Sequence, residues 1–403
     1  MITSLRGMND ILSDDYKRFT YFIETASTIA KRYGFHFIET PILEETALFK
    51  RSVGESSDIV GKEMYQFIDK GENDVCLRPE GTAGVVRAFI QKKLDRAGGT
   101  HRYYYFGPMF RYERPQKGRL RQFHQFGVES FGIESVYEDA SMIMMVSDIL
   151  KACGIGFRLK INSLGDGNCM PSYRDRLVSF VESCGDAICD DCNRRKSTNP
   201  IRVLDCKNEK CQSLYVNAPK LINNLCSACE SDFEKLKSLL DANNIAYEVD
   251  TNLVRGLDYY SKTAFEFVSD EIGSQSAIAG GGRYDRLVEF LDGKATPAVG
   301  FAMGIERLME LIKMPEETRS GYYMGAMDEN TVDLVLSLVQ KKRASEVVTF
   351  DYKPKGLKAH LKAADKVNAR YCAVIGENEL NEGVVWVKDL ESKEESLIPQ
   401  AEF

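Results

Sequence analysis

Phe106–Ser130, FGPMFRYERPQKGRLRQFHQFGVES, is the stretch from which the rest of the chain can be read. Two runs of alternating side chains flank a polar turn made of Arg114, Pro115, Gln116, Lys117, Gly118 and Arg119. Proline and glycine in a polar cluster between two such runs predict a β-hairpin. Side chains alternate across a sheet, so Arg121, Phe123, Gln125, Gly127 and Glu129 share one face of the second strand. Met109, Arg111 and Glu113 share one face of the first. Arginines, acids, a glutamine and one aromatic ring make a poor core. They make a good floor for a ligand that is partly anionic and partly a flat ring. Five of the eleven residues from Arg111 to Arg121 are Arg or Lys, in a chain of net charge −7. An ordinary solvated hairpin is the competing reading of the same charges.

A chain of 403 residues is long enough for two or three domains, each with its own core. With 43% hydrophobic and 28% charged residues, its composition is that of a soluble globular protein. No apolar run is long enough to cross a bilayer, and MITSLRGMNDILSDD lacks the basic start and apolar stretch of a signal peptide. A cytoplasmic location without membrane contact is therefore expected. The acidic balance excludes a general nucleic-acid coat but leaves room for a local basic patch. Eleven cysteines without a secretion signal do not predict a disulfide framework.

Apolar steps of three and four predict a helix over Tyr16–Tyr33, stopped at Gly34. A strand Phe35–Glu39 ends at Pro41, and Leu43–Lys50 is expected to be helical. Strands are predicted at Met64–Ile68 and Val75–Leu77, then a helix over Ala83–Lys93. Glu80 and Thr82 fall at its start, either as a cap with Thr82 at the N-cap position and Glu80 solvated, or at the lip of a pocket. A methionine-rich helix Val136–Cys153 and a strand Leu159–Asn162 follow. From about Gly165 to Leu240 the chain is helical at both ends and cysteine-rich, polar and loop-like between. Strands are read at Ala246–Asp250, Ala264–Val268, Ala277–Ile278 and Pro297–Met303, and a helix at Gly304–Ile312 carries Arg307. Gly280, Gly281 and Gly282 permit close backbone approach but lack phosphate-loop spacing. Beyond a boundary in Pro315–Gly325, strands and helices alternate, which suggests a small three-layer α/β domain.

With these residues placed, the chain resembles the class II aminoacyl-tRNA synthetases, and among them the histidyl-tRNA synthetase family. Tyr33–Arg51, Phe106–Glu129 and Ala298–Arg307 are similar to motifs 1, 2 and 3 of the class. Leu77-Arg-Pro-Glu-Gly-Thr82 and Leu253-Val-Arg-Gly-Leu-Asp-Tyr-Tyr260 are similar to stretches peculiar to the histidine enzymes. The resemblance covers essentially the whole chain. It implies an α+β catalytic domain built on an antiparallel sheet (residues 1–320), a small helical, cysteine-rich domain inserted at 166–240, and a C-terminal anticodon-binding α/β domain (321–403).

It also implies a reaction. Histidine attacks the α-phosphate of ATP, giving histidyl-adenylate and pyrophosphate; the 3′-terminal adenosine of tRNA(His) then takes the histidyl group and AMP leaves. The substrate carboxylate is the nucleophile, so the protein must supply alignment and positive charge. By resemblance, Arg111 and Arg255 flank the α-phosphate as the catalytic pair, Arg119, Arg121 and Arg307 serve the β- and γ-phosphates, Glu113 meets the adenine amino group and Phe123 stacks on the ring. Glu80, Thr82 and Gln125 hold the α-amino group of histidine, Glu129 and Tyr260 the imidazole nitrogens, and Tyr259 lines the pocket. Arg114 and Gln116 reach toward the tRNA acceptor end. Mg²⁺ accompanies ATP, and a homodimer forms through the catalytic domain. Lys355, Lys358, Lys362 and Lys366 recur at helical spacing, as a solvated face or as phosphate contacts to tRNA.

Two further expectations are testable. Cys189-x-x-Cys192 and Cys226-x-x-Cys229, separated by 33 residues, match a tetrathiolate zinc pattern, although the family does not generally require zinc and many members lack these cysteines. Reduced, partly buried thiols are the other reading. The alternative function is a non-catalytic, histidine-sensing regulatory paralogue on the same fold. Such proteins usually lose motif residues and the C-terminal domain, whereas Glu80, Arg111, Gln125, Glu129, Arg255, Tyr260, Arg307 and the domain are all present.

Overall fold

The computed structural model describes the chain except residues 1, 55, 56, 58, 117, 199, 254–258, 273–276 and 317, and the side chain at 205. Two compact units result, Met1–Met314 and Pro315–Phe403.

The first unit is organised by the hairpin. His101–Phe110 and Gln122–Phe131 pair antiparallel over ten residues, from His101 opposite Phe131 to Phe110 opposite Gln122. Ala298–Gly304, Ala277–Arg283, Ser261–Val268 and Arg158–Ser163 extend the sheet in that order, each antiparallel to its neighbour. Two-residue strands, His36–Phe37 and Glu248–Val249, close the edges in parallel. Strand alternation sorts the two faces. Phe126 and Val128 point into a core built with the helices Ser13–Arg32 and Val136–Ala152, through Phe22, Ala26, Ile143 and Val146. The opposite face is only partly covered, by the helix Thr82–Gln91 and the short helix Leu287–Phe290, and the polar side chains of the hairpin lie on this side.

Two local expectations change. Leu43–Glu45 is a strand, not the start of a helix, because Asp74–Leu77 offers it an antiparallel partner; the helix begins at Thr46, whose hydroxyl donates to Asp74 at 2.7 Å. The triple glycine lies inside the strand Ala277–Arg283. A Cβ on Gly281 would overlap the carbonyl of Gly300, and one on Gly282 that of Thr263. These glycines let three strands approach one another.

Within residues 166–240, a separate small core forms around Tyr173, Leu177, Val181, Val203 and Leu221, while Phe233, Leu236 and Leu240 at the end of the stretch join the main core. The stretch expected to be loop-like is helical, at Asp190–Thr198, Pro200–Asp205, Glu209–Tyr215 and Leu221–Asn224. These helices are short and mostly polar, so they carry little apolar periodicity. Cys189 and Cys192 gather with Cys206 and Cys211, whereas Cys226 and Cys229 gather with Cys169 and Asp166. The expected quartet of Cys189, Cys192, Cys226 and Cys229 is therefore corrected to two clusters. The two CxxC pairs open different helices, and other residues complete each.

In the second unit, Val348–Asp351, Ser320–Ala326 and Ala369–Ile375 run parallel, and Val384–Asp389 and Glu395–Pro399 add antiparallel. Met324, Ala326 and Ala373 face the helix Val332–Lys342, and Tyr323, Cys372 and Val374 face Leu357–Lys366, which makes three layers. The strand Ser320–Ala326 falls in the stretch read as a boundary, where two glycines and its position after a proline-containing polar segment hid it. Lys358, Lys362 and Lys366 are exposed, while Lys355 pairs with Asp351.

Candidate active site

A cleft of about 250 Å³ opens on the polar face of the larger sheet. One end is cationic. Arg111 leaves the first hairpin strand, donates from Nε to the Pro79 carbonyl at 2.9 Å, and lies over the Phe123 ring, 5.3 Å from its centroid. Arg119 pairs with the buried carboxylate of Glu113, which lies 4.0 Å from Arg111. Arg307, at the start of the helix Ile305–Met309, donates to the carbonyls of Gly118 at 2.8 Å and Ala277 at 2.7 Å. Burial, with the nearby charges of Arg119 and Arg111, holds its pKa below the usual guanidinium range. Three guanidinium groups on one cleft favour a multiply charged anion there.

The other end is polar and closely paired. The sequence left Thr82 as a candidate cap; in the structure Gly81 occupies the N-cap position and Glu80 does the capping. Its buried carboxylate accepts from the N–H groups of Thr82 at 2.7 Å and Ala83 at 2.9 Å. Burial raises its pKa against those two bonds and the charge of Arg111. Thr82 is thereby freed to donate to Glu129 at 2.7 Å. Glu129 is fully buried and also accepts from Tyr105 at 3.2 Å and from Tyr284. Tyr105 in turn occupies a slot between Gly81 and Gly127, where a Cβ on either would overlap its ring. Tyr259 and Tyr260 stack obliquely at 4.7 Å and wall the cleft beside Gln125. Among the described residues, the Gln125 Oε1 atom and the Tyr259 hydroxyl are buried without a hydrogen-bond partner, a state that polar atoms rarely keep unless a ligand or water completes them.

The sequence model described as "Histidyl-tRNA synthetase" matches residues 7–165 and 206–308, and that of the "Anticodon binding domain" matches 320–403. A histidine–tRNA ligase of Sulfurimonas denitrificans is 75% identical over 99% of both chains. The chain belongs to the histidyl-tRNA synthetase family. Another histidine–tRNA ligase, from a Sulfurovum species, is 67% identical over 99% of both chains. The apo histidyl-tRNA synthetase of S. aureus superposes with a TM-score of 0.84 at 35% identity, covering 100% of this chain and 98% of that one. The fold is that of a class II synthetase, and the activity is ligation of histidine to tRNA. The curated relatives bear the ligase description and give no support to the non-catalytic alternative. Among the described residues, no helix is long and apolar enough to cross a membrane.

Ten of the residues assigned to the synthetase site from sequence line the cleft: Glu80, Thr82, Arg111, Glu113, Arg119, Phe123, Gln125, Tyr259, Tyr260 and Arg307. Arg121 does not. It precedes the strand, its backbone N–H is tied to the Gly7 carbonyl at 2.8 Å, and its guanidinium carbon lies over the Tyr112 ring, 3.9 Å from the centroid. Alternation thus fails for it because the strand begins one residue later. Glu129 is also absent from the lining and sits behind Thr82. Arg114 and Gln116 are exposed in the hairpin loop, whose tip is closed by two bonds between Gln116 and Arg119, at 2.9 and 3.0 Å. Arg255 lies outside the described residues.

Sequence reasoning missed Glu306, Glu266, Tyr105 and Tyr284. Glu306 lines the cleft and accepts from the His124 N–H at 2.9 Å, with His124 Nδ1 2.8 Å away. Its adjacency to Arg307 was an available signal. A lone acid inside the apolar run Ala264–Val268 was the signal for Glu266.

Burial raises the Glu129 carboxyl from 4.5 to about 8. The folded state therefore keeps this proton to higher pH than the unfolded chain. Its contribution to stability is full below pH 4.5 and is lost as pH rises toward about 8. Glu129→Gln cannot ionise, so its urea midpoint is expected to fall less steeply across that window than the wild type's. Parallel profiles would contradict the assignment.

Proposed function

We propose that the cleft holds histidine at its Glu80–Gln125 end and ATP at its arginine end, and catalyses adenylate formation between them. The observation that carries this reading is one cavity joining three guanidinium groups and an aromatic ring to a buried, hydrogen-bonding floor. The histidine carboxylate attacks the α-phosphorus and pyrophosphate leaves. Arg111, together with Arg255 by resemblance to the family, neutralises the charge that builds on the phosphoryl oxygens. Arg119 and Arg307 hold the β- and γ-phosphates. Phe123 stacks on adenine, and Glu113 accepts from its amino group. ATP enters as its Mg²⁺ complex, and Glu266 and Glu306 offer the oxygen donors that this ion prefers.

Glu80, Thr82 and Gln125 fix the α-amino group, while Tyr259 and Tyr260 flank the imidazole. Glu129 serves as a positioning residue that orients the Thr82 hydroxyl. A site built of paired polar groups rejects apolar side chains, because the wrong substrate leaves those groups unpaired. In the second step a ribose hydroxyl of the tRNA terminus attacks the carbonyl carbon of the adenylate and AMP departs. The exposed loop bearing Arg114 and Gln116 meets the acceptor end. Residues 321–403 read the anticodon, with Lys358, Lys362 and Lys366 against its phosphates. The exposed apolar side chains of Phe37, Ile42 and Leu43 support a homodimer through the catalytic domain.

Histidine-dependent exchange of pyrophosphate into ATP tests the first step. The wild type is expected to exchange with histidine and not with other amino acids. Arg255→Ala should lose most exchange while keeping its thermal unfolding. Near-normal exchange in that variant would remove Arg255 from the mechanism.

A further inference from the structure

The segment inserted into the catalytic unit carries eight side chains that the ligation chemistry does not use. Four Sγ atoms, of Cys189, Cys192, Cys206 and Cys211, lie within 4.8 Å of one another. A carboxylate oxygen of Asp166 and the Sγ atoms of Cys169, Cys226 and Cys229 do the same in a second place. The family match passes from residue 165 to 206, leaving out Asp166, Cys169, Cys189 and Cys192. We propose that each chain binds two zinc ions here, one in the Cys189/Cys192/Cys206/Cys211 cluster and one in the Asp166/Cys169/Cys226/Cys229 cluster.

The spacing fits a tetrahedral metal site. Zinc–sulfur bonds of about 2.3 Å in tetrahedral geometry place two sulfurs about 3.8 Å apart. The Sγ atoms of Cys189 and Cys206 are 3.7 Å apart. A disulfide needs about 2.05 Å, and the cysteines of both clusters are free.

Backbone geometry also favours the metal-binding form of the sulfurs. The N–H of Cys189 points at Cys211 Sγ at 3.2 Å, that of Asn208 at Cys206 Sγ at 3.5 Å, and that of Cys226 at Cys169 Sγ at 3.1 Å. Such donors stabilise a thiolate and orient it, as the outer partners of metal ligands do. Asp166 is oriented as well, since its Oδ1 accepts from the N–H of Asn168 at 2.9 Å and of Cys169 at 3.2 Å.

The second cluster draws its four side chains from the starts of two helices. Cys226 is the extended N-cap of the helix Ser227–Ala242, with Cys229 in its first turn. Asp166-x-x-Cys169 repeats the three-residue step immediately before the helix Met170–Ser183. One ion would thus tie the first helix of the segment to the last. The other would tie Asp190–Thr198 to Glu209–Tyr215. Helices this short and polar have little apolar surface to hold them together, and two closed sites would supply the cross-links. Soft thiolates in a four-ligand set select zinc among the common divalent ions.

Metal analysis of the full-length protein, purified without chelator, decides the question without reference to activity. Two equivalents of zinc per chain are expected. Cys206→Ser and Cys169→Ser should each leave one equivalent, and the double variant none. With a mercurial thiol reagent, zinc release read by a chromogenic indicator should reach two per chain. Less than a tenth of an equivalent in the wild type, with the cysteines open to a thiol reagent under native conditions, would overturn the proposal. A single equivalent would overturn the two-site assignment, and iron in place of zinc would overturn the identity of the ion. The wild-type count stands even if a variant fails to fold.

Discussion

Replacing Arg111 by alanine is expected to lower histidine-dependent exchange by about 10²–10³-fold, or about 2.7–4 kcal/mol of transition-state stabilisation. The case rests on where this guanidinium is held. Its Nε is fixed by the Pro79 carbonyl, and its central carbon lies over the Phe123 ring, 5.3 Å from the centroid. One edge therefore remains for a phosphate, at the junction between the arginine end and Glu80. Charge grows on the α-phosphoryl oxygens only as the carboxylate attacks, so the loss should fall on kcat more than on the KM for ATP or histidine. Arg111→Lys should recover little, because an ammonium does not offer the fork of donors that a guanidinium presents to phosphate oxygens. Steady-state exchange and a thermal melt of each variant provide the check. Exchange within tenfold of wild type in a folded Arg111→Ala protein would exclude the role.

The parts of this site that were legible in the sequence are those in which one element presents its side chains by a simple period. The hairpin is the clearest case. Phe123 and Gln125 reach the cleft because alternate positions share a face, and Gly127 and Glu129 continue that face beneath it. The period stops at the strand end, which is why Arg121 turns to Tyr112 instead. What stayed hidden was made by contact between distant segments. His124 and Glu306 are 182 residues apart, and Tyr284 lies 155 residues from the carboxyl group it bonds. Adjacency to Arg307 could mark Glu306 as a candidate, but nothing local says that it meets His124 or that Tyr284 meets Glu129. The cysteines show the same limit, since spacing identified two CxxC steps but could not say that Cys206 and Cys211 join one and Asp166 and Cys169 the other. Resemblance to the family supplied the substrates; alternation alone supplied only a face suited to an anion and a ring.

The second large effect is expected from a residue with no side chain. Gly300 sits opposite Glu129 in the pairing of Ala298–Gly304 with Gln122–Phe131. A Cβ there would overlap the Glu129 carboxyl group and come 2.5 Å from the Val128 carbonyl. Neither neighbour can move cheaply. Val128 is locked in the ladder, and Glu129 is held by Thr82, Tyr105 and Tyr284. Gly300→Ala should therefore cost about 2–4 kcal/mol of stability and raise the KM for histidine, because displacing Glu129 releases the Thr82 hydroxyl. Measuring the double variant with Glu129→Ala separates the two clashes. If the carboxyl group is the main obstacle, the double variant should lose much less than the sum of the single losses, since the second change empties the space the methyl group needs. If the Val128 carbonyl dominates, the two losses should add, and the carboxyl group would not be the reason this position is glycine. Urea unfolding of the four proteins gives the coupling directly. A Gly300→Ala protein with wild-type stability and wild-type KM for histidine would mean that the floor of the cleft can yield. The role proposed for Glu129, holding the Thr82 hydroxyl in place for histidine, would then have to be abandoned.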